Sequence, residues 1–191
     1  MVLAKRAGQP YASTNLGRTS EGATMKIKFR MAQELYAEMQ NDFSRRHKFA
    51  HERVGFMHCA AGMGEGNELI LLAESYAPVA DEHYQKNQKV GAMIGAGAFR
   101  RELQYAYSSP CSIFHVHRHD HYGVPGFSET DIAESYKFVP DFFKVQPNRP
   151  HGVVVLSHDS AYGLCWLPNE RSPVPIREFG LIGRPTKNVR A

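Results

Sequence analysis

The chain lacks most of the features that would settle its class at a glance. It has no run of about 18 apolar residues, so nothing in it reads as a membrane-spanning helix. Lys5 and Arg6 are followed by Ala-Gly-Gln-Pro-Tyr rather than an apolar segment, so a secretory signal is not expected. A cytoplasmic protein is therefore expected. Cysteine is scarce: Cys59, Cys111 and Cys165 are odd in number, far apart and set among apolar neighbours. They suit buried free thiols rather than a disulfide framework or a thiolate metal site. No block of like charge appears either. The net charge of +4 is spread along the chain, which gives no footprint for nucleic acid. No internal repeat is visible.

What is present is ordinary for a folded domain, with 42% apolar and 22% charged residues over 191 positions. Three segments are expected: a disordered tail at 1–24, one domain at 25–168, and a Pro- and Arg-rich extension at 169–191. Met25, Ile27 and Phe29 alternate with basic residues, the period-two pattern of a half-buried strand. Ala32, Leu35, Tyr36, Met39 and Phe43 then recur at helical spacing, with Glu34 and Glu38 early and Arg45, Arg46 and His47 at the end, charges that suit the helix dipole.

Two β-rich runs, 52–60 and 68–73, flank a glycine-rich stretch from Gly62 to Asn67, which predicts a hairpin. Gly91, Gly95 and Gly97 lead into a helix over 98–107, which Pro110 stops. A short strand follows over 111–117, then a helix from Ser128 to about Phe138 closed by Pro140. A second hairpin joins 152–157 to 161–167, and 179–182 adds one edge strand. The expected class is α/β or α+β, with a mostly antiparallel sheet flanked by helices.

The chemistry concentrates in Ile-Phe-His115-Val-His117-Arg-His119-Asp-His121. In an extended segment alternate side chains share a face, so His115 and His117 project together where the apolar strand ends. Ser128-Glu129-Thr130-Asp131 has the form of a capping box, which puts Asp131 in a first helical turn where the dipole favours the carboxylate. Two histidines, one aspartate and a water make an open four-coordinate site of the catalytic zinc type. Read alone, Ser128-x-x-Asp131 is a helix cap and the histidine tract an adventitious metal binder. The order of strand, His-x-His, loop and capped carboxylate is what points to a metal.

These residues resemble the motif of the JAB/MPN, or JAMM, zinc metallopeptidases: an upstream Glu, then His-x-His, then Ser-x-x-Asp. Glu52 heads Glu-Arg-Val-Gly-Phe-Met-His, which is similar to the family's first core strand, and the similarity runs from about Met25 to Trp166. The spacing departs from the family. Arg118 stands where Pro is usual, and ten residues rather than seven separate His117 from Ser128. Pairing His117 with His119 leaves eight. The pair His115 and His117 is preferred because it directly ends the apolar strand, leaving His119 and His121 in an inserted loop.

The resemblance implies an MPN/JAB-like, cytidine-deaminase-like fold and hydrolysis of peptide or isopeptide bonds. It implies zinc as cofactor, Glu52 as general base and Ser128 as oxyanion donor. The implied partner is a ubiquitin-like protein or its conjugate, whose extended tail would add as a strand to a sheet edge beside the metal. Two other readings stand beside it. A catalytically silent MPN-type scaffold would generally have lost ligands, and all are present. A non-haem iron oxygenase shares two histidines and a carboxylate, but the His-x-Asp/Glu spacing is missing here and the reading would need a distant third His.

Overall fold

A computed structural model of the chain describes residues 25–46, 50–87 and 91–183. The expected tail at 1–24, His47 at the end of the first helix, and the last residues of the C-terminal extension, 184–191, lie outside the described residues. The element order is β1 (Lys26–Ala32), α1 (Gln33–Phe43), β2 (Val54–Met63), β3 (Glu68–Pro78), a 3-10 turn (Asp81–His83), α2 (Ala96–Ser108), β4 (Ser112–Arg118), α3 (Glu129–Val145), β5 (His151–Leu156), β6 (Ala161–Trp166) and β7 (Val174–Ile182). No described helix is long and apolar enough to cross a membrane.

The seven strands form a closed barrel in the order β1-β3-β2-β4-β5-β6-β7. This corrects the expected MPN/JAB-like, mostly antiparallel sheet flanked by helices. Three of the pairings, β1 with β3, β1 with β7 and β4 with β5, are parallel. Closure depends on β7, which read as an edge strand over 179–182. It is longer than that, and it pairs with β6 on one side and β1 on the other. Phe179 packs against Phe29 of β1 with ring centroids 5.5 Å apart, so apolar contact accompanies the hydrogen bonds at the seam.

Alternation along the strands sorts the apolar side chains into two clusters. Ile27, Phe29, Met57, Cys59, Leu71, Phe114, Val116, Val154 and Cys165 belong to the first, which draws on all seven strands and fills the barrel, with Met39 and Phe43 added from α1. Val54, Phe56, Ile113, Val153 and Leu164 face the other way, into a second cluster under α2 and α3. All three cysteines are buried and free.

The period of two therefore puts His115 and His117 outside the barrel, on the face that α2 and α3 cover. That face carries the site.

Helix α3 runs on through Pro140, where the sequence predicts a stop. Pro140 itself is exposed, and Phe142, two residues beyond it, is fully buried against Phe56 and Phe138. Proline inside a helix costs about 3 kcal/mol. Burying a phenylalanine returns roughly 1.5–3 kcal/mol, so packing carries the helix past its breaker.

Candidate metal centre

Strand β4 is held from both sides, by β2 antiparallel and by β5 parallel. Its pairing with β5 extends one step past the strand end: the His119 N–H donates to the Leu156 carbonyl at 2.9 Å. That bond keeps the chain extended through Arg118, so His119 stays on the same face as His117. Their Nε2 atoms lie 3.2 Å apart. Arg118, in the position where the JAMM motif has Pro, donates from Nη1 to Gln40 Oε1 of α1 at 2.7 Å.

The register of β2 against β4 brings in the distant glutamate. Val54 pairs with His117, and two residues further along an antiparallel pair Glu52 stands opposite His119. One donor atom each from Glu52, His117 and His119 falls within 4.8 Å of the others, a group that could hold a metal ion. Glu52 is fixed through its backbone. The N–H groups of His51 and Glu52 both donate to the Gly91 carbonyl, at 2.8 and 3.0 Å.

Asp131 approaches from the third side. Ser128 caps α3: its Oγ accepts from the Asp131 N–H at 3.2 Å, while its own N–H and hydroxyl donate to Asp131 Oδ2 at 2.8 and 2.7 Å. The same Oδ2 lies 3.7 Å from His117 Nε2 and 3.9 Å from His119 Nε2. In a tetrahedral zinc site with bonds near 2.0–2.1 Å, ligand atoms sit about 3.3 Å from one another. The separations of 3.2, 3.7 and 3.9 Å are of that size, so the residues present fit a divalent ion.

His115 takes a different place from the one expected for it. Its ring packs edge-on to Phe56 at 5.4 Å and lies 5.2 Å from Phe138. The His117 ring is nearer to that of His119, at 4.9 Å, than to that of His115, at 6.0 Å. All three histidines share one face and line one cavity, with His115 at the end where Phe138 of α3 packs. The compact donor group is thus His117 with His119 rather than His115 with His117. His121 is turned aside, its Nδ1 2.8 Å from the Tyr122 carbonyl.

The charges follow from these surroundings. Burial pushes His115 down to about 3, with His117 adding to the effect. Burial likewise pushes His117 down to about 4, against the pull of Asp131. Both rings are neutral near pH 7, the form that ligates metals. The two carboxylates diverge. Burial, reinforced by Asp131, raises Glu52 above its usual range against the opposing effect of His119 and His51. Burial acts on Asp131 in the same direction, but His117, the two Ser128 hydrogen bonds and His119 outweigh it, and its pKa is lowered.

The donor group lines a cavity of about 610 Å³, whose lining also includes Val54, Met93, Ile94, Phe99, Phe127 and Phe138. Met93 and Ile94 come from the segment between the 3-10 turn and α2, which in the sequence reads only as an approach to a helix. The triplet Gly91, Gly95, Gly97 was its one visible signal.

No family model matches the chain, and no curated protein matches it. The likeness to the JAMM family is one of motif.

Proposed function

We propose that the protein is a zinc-dependent hydrolase of peptide or isopeptide bonds. The observation that carries this reading is the meeting of Glu52, His117, His119 and Asp131, drawn from three separate parts of the chain, beside a cavity that also carries aromatic and aliphatic lining. A purely structural site would be closed by four ligands without adjoining space for a substrate.

The two carboxylates divide the work. Asp131 is anchored by Ser128, lies within 3.9 Å of both imidazoles and has its pKa lowered, which suits a ligand. Glu52 has its pKa raised, which suits a residue that takes and returns a proton near neutral pH. When bound, a zinc ion would supply an acidified water and polarise the scissile carbonyl. Glu52 would accept the proton of the attacking water and pass it to the departing amine. The Ser128 hydroxyl donates to Asp131, so its first task is to hold the carboxylate in place. The oxyanion role that the JAMM motif implies for it requires that proton to be released.

The resemblance alone supports a ubiquitin-like protein as substrate. Docking of its tail as a strand beside the histidines does not suit this barrel, because β4 is already paired along both edges. The reading is tested by loading the purified chain with zinc and assaying cleavage of peptide and isopeptide fusions with and without a chelator. Chelator-sensitive hydrolysis is expected. Absence of zinc binding, or hydrolysis indifferent to the chelator, overturns it.

A further inference from the structure

The cavity constrains the substrate beyond the nature of the bond. Besides the donor group its lining includes aromatic and aliphatic side chains, with Phe99 packed edge-on to Phe56 at 5.5 Å and tilted against Phe138 at 5.1 Å. Phe127 bridges from the His117 ring at 6.1 Å to Tyr162 at 5.6 Å. Apolar surface beside polar catalytic groups is the usual way a site selects a side chain. The charged groups lining the cavity are the carboxylates Glu52, Asp131 and Glu134, and no lysine or arginine is among the described lining residues. A free carboxylate on the substrate would meet repulsion from these three groups. A glycine-only tail would leave the aromatic wall uncovered.

We propose that the site takes an internal amide carrying a bulky apolar side chain next to the scissile bond, seated on Phe99, Phe127 and Phe138, with no free carboxylate nearby. This rests on the hydrolytic reading above. It names the side chain that the enzyme would select.

The test uses the full zinc-loaded chain and two sets of probes. One is a series of peptides blocked at both ends, with Gly, Ala, Leu or Phe on either side of one bond, and the same peptides with a free C-terminal carboxylate. The other is a pair of metal-binding hydroxamates, acetohydroxamate and 3-phenylpropanohydroxamate, whose affinities are read by calorimetry without any need for turnover. Leu or Phe on one side is expected to raise kcat/KM at least about tenfold over Gly, and freeing the adjacent carboxylate to lower it by a similar factor. The phenyl hydroxamate is expected to bind at least about tenfold more tightly than the acetyl one. Met93→Ser and Phe127→Ser, at the cavity wall, should shrink both ratios.

Hydrolysis that is fastest with glycine on both sides overturns the apolar subsite and leaves the peptidase reading intact. A peptide series that is not cleaved at all, with the phenyl hydroxamate still preferred, removes the peptidase reading and keeps the subsite. Equal affinity of the two hydroxamates, or failure of both to bind, overturns the subsite.

Discussion

The Gly91 carbonyl accepts the Glu52 N–H at 3.0 Å, and a Cβ placed on Gly91 would lie 2.3 Å from Glu52 Oε2. The glycine thus both anchors the backbone of Glu52 and leaves room for its carboxylate. Because the obstructed atoms are the end of a flexible side chain, Gly91→Ala should fold and displace the carboxylate instead. Misplacing a reacting group by about 1 Å costs roughly 100-fold in rate. Gly91→Ala is therefore expected to lower kcat/KM by about that factor with zinc content unchanged, as read by steady-state kinetics and metal analysis. Full activity would show that Glu52 need not sit where the Gly91 carbonyl holds it.

Glu52→Gln separates proton transfer from metal binding. The amide keeps the size and the backbone bonds of Glu52 but cannot accept the water proton. Hydrolysis should fall roughly 100- to 10,000-fold while His117, His119 and Asp131 still hold about one zinc per chain. Loss of zinc in this variant would make Glu52 a ligand and reassign the base.

The ligand pair is tested by three single changes compared side by side. His117→Ala and His119→Ala should each lose zinc, since their Nε2 atoms are 3.2 Å apart and both lie within 3.9 Å of Asp131 Oδ2. His115→Phe should keep it, because that ring is packed against Phe56 and Phe138. Zinc retained in His119→Ala and lost in His115→Phe would restore the pairing of His115 with His117.

Away from the site, His151 sets a pH dependence of stability. The Ile113 N–H donates to its Nδ1 at 3.0 Å, and its Nε2 faces the Gln146 carbonyl at 3.0 Å, which requires the neutral ring with its proton on Nε2. Burial first, with Arg149 adding, pushes its pKa down to about 4. A folded pKa below the unfolded value near 6.5 means that the stabilisation is present above about 6.5 and is lost as pH falls towards about 4. By that point the loss attributable to His151 approaches about 3 kcal/mol. Urea unfolding of the metal-free chain from about pH 7 to about pH 4 should show it. In His151→Gln the same interval should cost correspondingly less, and parallel profiles for the two chains would exclude His151 as the source.

The local signals were legible. Alternation at Met25, Ile27 and Phe29 marks β1, the glycines at 62–66 mark the turn between β2 and β3, and the capping box at Ser128 starts α3. Each is carried by residues within a few positions of one another. The histidine face is legible in the same way for 115 and 117, which strand period puts on one side, whereas 119 reads as part of an inserted loop until its bond to Leu156 extends the strand. Barrel closure is not, because β7 has apolar residues that suit an edge as well as an interior strand, and only the parallel match of Phe29 with Phe179 decides. The passage of α3 through Pro140 was hidden for a related reason: the burial of Phe142 depends on what lies beneath it.

By itself the sequence determined the donors, their chemistry and the order in which they appear: histidines on a strand, a carboxylate at a capped helix start, a glutamate upstream. Only the tertiary structure decided which of them meet. The bond from His119 to Leu156 carries β4 one step further, the register of Val54 with His117 brings Glu52 opposite His119, and His115 packs against Phe56 and Phe138. Side-chain alternation is a property of a single strand. Depth and register belong to pairs of strands and to the helices over them, and these form only when distant segments bury their apolar faces together.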